Sequence, residues 1–457
     1  MPRDRPTVVM GVGVAGRAVA RALSRRGHPV VLADDAPGPA ARELALTLDS
    51  PLLEAPDRAA LATTLAGAGA MVPAPGLDER HPAFAAAAGA GVPVVGELDL
   101  AAAWDDRPTL AVTGTDGKTT VTTLVAAMLE ESGIAAAEAG NTDVPLVEAI
   151  DDPAPEVFVV EASSFRLAPL RRFAPRAGCW LNFGPDHQDV HRDLAAYETA
   201  KAAIWRDFGP DQLAVVNRDD DVVAAHAVGL PCVETFGLGP APEGPGHWSV
   251  DDGELRTPEG DVLLDIGDLH RGLPHDVANA LAAAATARAG GATPDATARA
   301  LRAFRGLPHR VQLVGWRNDV AWYDDSKATA PHATLAAVAG FASVVLVAGG
   351  RNKGLDLSML RAAAAHVRSV VAIGEAAEEV AAAFADVRPV VVVTSDMDEA
   401  VAVAAGLARA GDTVLLSPAC ASFDWYRSYG ERGDDFTRAA LALGVEPVST
   451  GHPEVAP

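Results

Sequence analysis

Cysteine is scarce, with three in 457 residues, and Cys179, Cys232 and Cys420 lie far apart. An odd, scattered set excludes a disulfide framework and a cysteine-built metal cluster, and it fits a reducing cytoplasm. Basic residues are also short, 37 Lys and Arg against 61 Asp and Glu, for a formal net charge of −24. Such a field repels polyanions, so nucleic acid is not an expected partner, and any anionic ligand must be held by local donors. No run of about 18 uncharged apolar residues occurs, so no membrane span is expected. Near the start, Arg3 and Arg5 precede an apolar stretch, but glycines at 11, 13 and 16 and Arg17 break it before a signal peptide is complete.

Apolar residues make up 49% and charged residues 21%, as in an ordinary globular chain, and the length suits three domains of about 150 residues each. Short β-branched runs alternate with Ala/Leu-rich stretches of helical length, the pattern of βαβ units and parallel sheets. A strand over 7–10, a glycine turn over 11–16, a helix over 17–26 and a strand over 30–33 open the chain. A polar break, Asp105-Asp106-Arg107-Pro108, precedes a strand over 110–113, a Gly/Thr/Lys loop and a helix over 121–132. Further strands are expected over 157–160, 177–181 and 213–216, and the Pro/Gly/acid-rich 237–260 reads as turns and short antiparallel strands. After a second break at Gly306-Leu307-Pro308-His309, strands over 344–348, 370–373, 390–393 and 413–416 alternate with helices. No short-period repeat points to a solenoid.

Two glycine loops carry the chemistry. Gly11-Val-Gly-Val-Ala-Gly16 lies between strand and helix, with Asp34 and Asp35 ending the next strand. Such a turn lets a diphosphate approach a helix N-terminus while an acid takes a ribose hydroxyl. That suits an NAD(P)-dependent dehydrogenase, but it suits a nucleotide sugar equally well. Thr113-Gly-Thr-Asp-Gly-Lys-Thr-Thr120 also lies between strand and helix. Its amides can surround phosphate oxygens, Lys118 can offset their charge and the Thr119 hydroxyl can reach Mg²⁺, which points to ATP.

Glu161 ends a strand of the same region, where ligands gather at the carboxyl edge of an open sheet, so it could share a metal with Thr119. Asp186-His187-Gln188-Asp189 follows another strand and offers further ligands at that edge. Read by periodicity alone, Lys201 is one exposed lysine on an amphipathic helix. Likewise Asp324-Asp325-Ser326-Lys327 reads as a turn and Arg351-Asn352-Lys353-Gly354 as a solvated loop.

Taken in order, these motifs resemble the Mur ligases. The resemblance runs through Gly13-Val-Ala-Gly16, Pro75-Gly76, Thr113 to Thr120, Gly140-Asn141, Glu161-Ala-Ser-Ser-Phe165, Asp186-His187, Lys201, Gly306-Leu-Pro-His-Arg310, Asp325-Ser-Lys-Ala-Thr329 and Ser417-Pro-Ala-Cys-Ala-Ser-Phe-Asp424. With Glu431-Arg-Gly433, the last motif is similar to the branch that adds D-glutamate, and the Asp-Asn-Pro-Arg motif of the diaminopimelate or lysine branch is absent. The implied fold is α/β in three domains. These are a Rossmann-like domain for the uridine-nucleotide substrate (1–106), a central P-loop ATPase-like domain with a mainly parallel sheet (107–308) and a Rossmann-like C-terminal domain for the amino acid (309–457).

The resemblance implies an ATP-dependent amide ligase that joins D-glutamate to UDP-N-acetylmuramoyl-L-alanine through an acyl phosphate. That step belongs to cytoplasmic peptidoglycan precursor synthesis, and so to cell-wall biogenesis, cell shape and division. It implies that Gly13, Val14, Ala15, Gly16, Asp34, Gly76, Asn141 and His187 bind the muramoyl nucleotide. ATP would take Gly114, Thr115, Asp116, Gly117, Lys118, Thr119, Thr120, Asn279, Arg310 and Asp325. D-glutamate would take Thr329, Lys353, Ser422 and Tyr429. Lys118, Glu161, His187 and Lys201 would be catalytic. Two Mg²⁺ would be held, one by Thr119 and Glu161 and one by His187 with a carbamylated Lys201, in a monomer. Asp116, Asp276, Ala330 and Tyr429 depart from the commoner residues at their positions, Asn, Asn, Asn and Phe.

Overall fold

A computed structural model describes residues 4–142, 144–187 and 190–447. Asp189, a ligand candidate at the sheet edge, lies outside the described residues. The chain forms two compact units. One comprises Met1–Phe183, His187–Ile266 and Ala278–Arg302; the other comprises Gly184–Asp186, Gly267–Val277 and Ala303–Pro457. Among the described residues, no helix is long and apolar enough to cross a membrane.

The first unit holds two sheets. β1 (Thr7–Met10), β2 (Val30–Asp34), β3 (Leu52–Glu54) and β4 (Ala70–Pro73) pair in the order β3-β2-β1-β4, all parallel. β1 and β4 are buried along their whole length, as continuous apolar runs in a covered parallel sheet should be. The first helix runs Val14–Arg25, beginning three residues before the expected Arg17.

The second sheet contains β5 (Thr109–Thr113), β6 (Ala136–Gly140), β7 (Val157–Glu161), β8 (Ala177–Trp180), β9 (Leu213–Asn217), β10 (Val233–Phe236), β11 (His247–Asp251), β12 (Glu254–Arg256) and β13 (Val262–Asp265). Their order is β13-β12-β11-β10-β9-β8-β5-β7-β6. The pairings from β6 to β11 are parallel, and β11-β12-β13 is an antiparallel meander, which matches the expected short strands of the Pro/Gly-rich segment. The carboxyl ends of β5, β7 and β8 thus lie side by side, bringing the loop after Thr113, Glu161 and Asn182 to one edge.

The second unit holds β14 (Gln312–Arg317), β15 (Val320–Asp324), β16 (Val344–Gly349), β17 (Val367–Ile373), β18 (Val390–Val393), β19 (Thr413–Leu416) and β20 (Glu446–Pro447), ordered β18-β17-β16-β19-β15-β14-β20. Only the β15-β14 and β14-β20 pairings are antiparallel. The architecture is mixed α/β with mainly parallel sheets, as expected.

Within the first unit, the short helix Glu97–Trp104 is fastened by two buried acids. The Asp99 carboxylate accepts backbone N–H bonds from Arg171, Arg172 and Phe173, each at 2.9 Å. Glu97 accepts from the Val147 amide at 2.7 Å and pairs with Arg166 Nη1 at 2.5 Å, both side chains being nearly sealed from water. Removing one partner of such a pair strands a buried charge, at a cost of about 3–5 kcal/mol. Glu97→Ala is therefore expected to lose about that much stability in urea denaturation, and Glu97→Ala/Arg166→Leu to recover most of it. Equal losses in the single and double variants would contradict the pairing.

Candidate active site

β5 leads into residues 114–117 and then the helix Lys118–Glu131, whose first amides have no intrahelical partner. Gly117 caps that helix at φ +82°, a left-handed conformation that suits glycine, and a Cβ there would lie 2.6 Å from Asn279 Oδ1. Asn279, expected beside adenine, therefore packs on the phosphate loop. Asn182 splints the loop from the end of β8. Its Oδ1 accepts the N–H groups of Thr115 and Asp116, both at 2.9 Å, and its Nδ2 donates to the Asp116 carbonyl at 3.3 Å. Nothing local in the sequence marks Asn182; only its place after a strand end signals it.

Lys118 Nζ donates to the carbonyls of Gly114 at 2.9 Å and Thr115 at 2.8 Å. The Gly114 carbonyl also accepts from Lys201 Nζ at 2.5 Å. Lys201 is only 1% exposed and sits 4.6 Å from the ring centroid of Tyr197, whose hydroxyl donates to Thr115 Oγ1 at 3.3 Å. The exposed-lysine reading is thus overturned, because the helix Leu194–Ala202 packs against the phosphate loop and turns Lys201 inward.

Glu161 is 3% exposed. Its Oε2 accepts from Thr119 Oγ1 at 2.7 Å, and its Oε1 accepts from Asn141 Nδ2 at 3.0 Å. One hydroxyl and one carboxylate form a hard-donor pair of the kind Mg²⁺ uses together with phosphate oxygens and water, with the Asn141 amide fixing the carboxylate. Among the described residues, no three His, Cys, Asp or Glu side chains gather as a metal site. His187 stands on a left-handed turn at φ +55°, with Phe165 edge-on at 4.6 Å between ring centroids and Tyr197 at 6.0 Å.

At the first glycine turn, a Cβ on Gly16 would lie 2.0 Å from the Gly11 carbonyl, so only glycine lets helix and strand close there, while Gly13 faces open space. Asp34 braces this turn through the Val12 amide at 2.6 Å and the Ala36 amide at 2.9 Å. A cavity of about 670 Å³ opens at the carboxyl end of β4, with Pro73, Gly76, Glu79, Phe165 and His191 among its walls.

In the second unit, Asp325 Oδ2 accepts from Ser417 Oγ at 2.7 Å and Oδ1 from the Val311 amide at 3.2 Å, with half-buried Arg310 close enough to act on its charge. Of the segment 324–327, expected as a turn, Asp324 ends β15 and Ser326–Lys327 form the turn, and Asp324, Asp325 and Ser326 are buried. Lys327 Nζ lies 3.9 Å from the Tyr429 ring centroid. Ser422 is buried, Thr329 half-buried and Lys353 exposed on its loop. Asp276 is explained by Arg271, which grips it through Nε at 2.5 Å and Nη2 at 2.7 Å. Ala330 precedes the helix Pro331–Val338 as its extended N-cap; nothing in the structure explains the change from Asn.

Two residues in the motifs went unassigned by sequence reasoning. Arg432 is buried and donates to Ser326 Oγ at 2.9 Å, the Ser326 carbonyl at 2.8 Å and the Cys420 carbonyl at 3.0 Å; burial lowers its pKa to about 10. His309 gives Nδ1 to Asp324 at 2.7 Å, and that bond holds its pKa up. Burial pushes the Cys420 thiol up to about 12, so it is no nucleophile at neutral pH.

Two family models match this chain, the Mur ligase middle domain over residues 112–287 and the glutamate ligase domain of Mur ligases over residues 309–420. The chain belongs to the Mur ligase family. It is 43% identical over 445 residues to the UDP-N-acetylmuramoylalanine--D-glutamate ligase of Frankia casuarinae, covering 96% of this chain and 94% of that protein. The enzyme of the same name from Pseudomonas aeruginosa is 39% identical over 458 residues, covering 96% and 98%. Among solved structures, a pseudomurein peptide ligase type C from Methanothermus fervidus matches with a TM-score of 0.60 at 17% identity, over 96% of this chain and all of that one. MurF from Acinetobacter baumannii matches at 0.58 and 17%, over 94% and 90%. These structural likenesses speak to the fold.

Burial pushes the Asp325 carboxyl up to about 7 from 3.8, against the opposing pull of its Ser417 bond. Between those values the folded chain holds a proton that the unfolded chain has released, so this group's contribution to stability falls as pH rises through that window. Asp325→Asn removes that dependence. Relative to the parent, its stability in urea is expected to rise from about pH 4 to about pH 7 and to level off above that. A difference that stays flat with pH would contradict the shift.

Proposed function

We propose that this chain joins D-glutamate to the L-alanyl carboxylate of UDP-N-acetylmuramoyl-L-alanine, using ATP, in peptidoglycan precursor synthesis. The observation that carries this reading is the phosphate loop with Lys118 on its own carbonyls and Thr119 bonded to buried Glu161, in a chain 43% identical to a ligase of that name. A nicotinamide dehydrogenase, which the first glycine turn alone would allow, needs neither group.

An amine does not displace hydroxide from a carboxylate in water, so the carboxylate is first phosphorylated by ATP to an acyl phosphate. The D-glutamate amine then attacks, and phosphate leaves from a tetrahedral intermediate. Lys118 faces the transferred phosphoryl charge, and the loop orients it; no enzyme nucleophile is required. Thr119 and Glu161 would hold Mg²⁺, which when bound offsets charge on the phosphates. His187 and a carbamylated Lys201 are assigned to a second Mg²⁺. An ammonium cannot ligate a cation, whereas a carbamate oxygen can.

ATP is assigned to residues 114–120 with Asn279, Arg310 and Asp325. The muramoyl nucleotide is assigned to Gly13–Gly16, Asp34, Gly76, Asn141 and His187, and D-glutamate to Thr329, Lys353, Ser422 and Tyr429. On this reading the domains are 1–106, 107–308 and 309–457, in a cytoplasmic monomer.

The test supplies the muramoyl nucleotide and Mg-ATP with D- or L-glutamate separately, and follows phosphate release and product mass. Product with D-glutamate alone is expected; oxidation of NADH on adding substrate, or no product, would sink the reading. Lys118→Ala should fold normally and lose on the order of a hundredfold in turnover at saturating ATP. Retention of near-parental turnover would remove Lys118 from the mechanism.

A further inference from the structure

Glu79 lies three residues beyond Gly76, and His191 lies four residues beyond His187. The two meet across 112 positions of chain. His191 is 1% exposed, and both its ring nitrogens are engaged, Nδ1 with Glu79 Oε1 at 2.7 Å and Nε2 with Ser164 Oγ at 2.9 Å. A carboxylate only accepts, so it fixes a proton on Nδ1, and Nε2 of the neutral ring then accepts from the Ser164 hydroxyl. Glu79 also grips the neighbouring backbone, donating its own N–H to the Val190 carbonyl at 3.2 Å and accepting the Arg192 N–H on Oε2 at 3.3 Å.

That grip falls on the turn that carries His187. The His187 carbonyl accepts from the amides of Val190 at 3.1 Å and His191 at 3.0 Å, and His187 itself is left-handed at φ +55°. A non-glycine residue held there is strained and needs surroundings that hold it. Phe165 lies between the two imidazoles, parallel to His191 at 5.4 Å (interplanar angle 15°) and edge-on to His187 at 4.6 Å. The orientation of His191 thus passes to His187 twice, through the His191 amide on the His187 carbonyl and through the Phe165 ring. Gly76, Glu79, Phe165 and His191 also share walls of the 670 Å³ cavity, so a ligand seated there presses on the same group of side chains.

We infer that Glu79 and His191 are positioning residues for the ligase reaction, forming a relay that sets the His187 imidazole from the loop bearing Gly76. Seating the muramoyl nucleotide on that loop then also orders the metal-side imidazole, so the carboxylate to be phosphorylated and the ligand beside it come into register together. This rests on the proposed roles of Gly76 and His187. The relay touches no reacting atom; it acts through His187.

The experiment uses the full-length enzyme with four variants: Glu79→Gln, which keeps an acceptor; Glu79→Ala; His191→Phe, which keeps the ring stack and loses both hydrogen bonds; and Glu79→Ala/His191→Phe. His187→Ala is the control. Steady-state kinetics with varied muramoyl nucleotide, ATP and Mg²⁺ are measured beside thermal unfolding. Removing partners that orient a metal ligand typically costs about ten- to a hundredfold. Glu79→Ala and His191→Phe are therefore expected to lose about that much kcat/KM for the muramoyl nucleotide and to need more Mg²⁺ for half-maximal rate, while KM for ATP stays within about twofold. The double variant should be no worse than the worse single one, and Glu79→Gln should keep most activity. A merely structural clamp predicts something different, additive losses that follow the unfolding temperature and strike both substrates alike, and that result overturns the inference. If Glu79→Ala does not fold, the contrast between Glu79→Gln and His191→Phe decides, and equal kinetics in those two overturns it. Parental activity in Glu79→Ala beside an impaired His187→Ala defeats the relay alone. Parental activity in His187→Ala removes the relay's target and with it the proposed role of His187.

Discussion

The Gly114 carbonyl accepts hydrogen bonds from two lysines, Lys118 at 2.9 Å and Lys201 at 2.5 Å. One lysine begins the helix after the loop and the other closes a helix more than eighty residues on, so a single backbone oxygen ties the phosphate loop to the segment that follows His187. This geometry depends on the shape of the loop. Asn182 supplies that by bonding two of its amides and one of its carbonyls. Preorganisation of this kind places charge where it is needed before the reaction and limits rearrangement during it. It also answers the problem posed by a net charge of −24, since the Lys118 ammonium is held on the loop itself.

The acidic side is built with the same economy of parts. Glu161 has one oxygen on Thr119 and the other on Asn141, so its carboxylate is aimed by residues from the phosphate loop and from the end of β6. In the second unit, buried Arg432 gathers Ser326 and Cys420, while Ser326 Oγ donates to the Tyr429 carbonyl at 2.7 Å. The Asp325-Ser-Lys-Ala-Thr329 and Ser417 to Asp424 motifs are thereby locked to the helix Tyr429–Ala442, which gives both a fixed framework.

Much of this was legible in the sequence because it is local. Thr7–Met10, Val344–Ala348 and Thr413–Leu416 are apolar runs flanked by turn residues, and all are strands of parallel sheets. The strand-loop-helix setting of Thr113–Thr120 could be read from periodicity and glycine alone. What escaped is non-local. β6, Ala136-Ala-Glu-Ala-Gly140, has no β-branched residue and is a strand because it pairs with β7 at the sheet edge. Lys201 reads as a surface lysine until the helix is docked, Asn182 as a loop residue until Thr115 and Asp116 come within 2.9 Å, and Glu79 and His191 as unrelated charges until the chain between them folds. The resemblance to the Mur ligases supplied the first of these; the structure supplied the other two.

On the function proposed above, Lys201, held against the phosphate loop, serves the reaction as an anionic ligand with His187 after carbamylation. Its most direct test is the activity of Lys201→Ala with and without a short carboxylic acid such as acetate, alongside Lys118→Ala, whose missing group is cationic. The account predicts a severely impaired Lys201→Ala that acetate partly restores, and a Lys118→Ala that acetate leaves unchanged. Full activity of Lys201→Ala without added acid, or equal restoration of both variants, would contradict it.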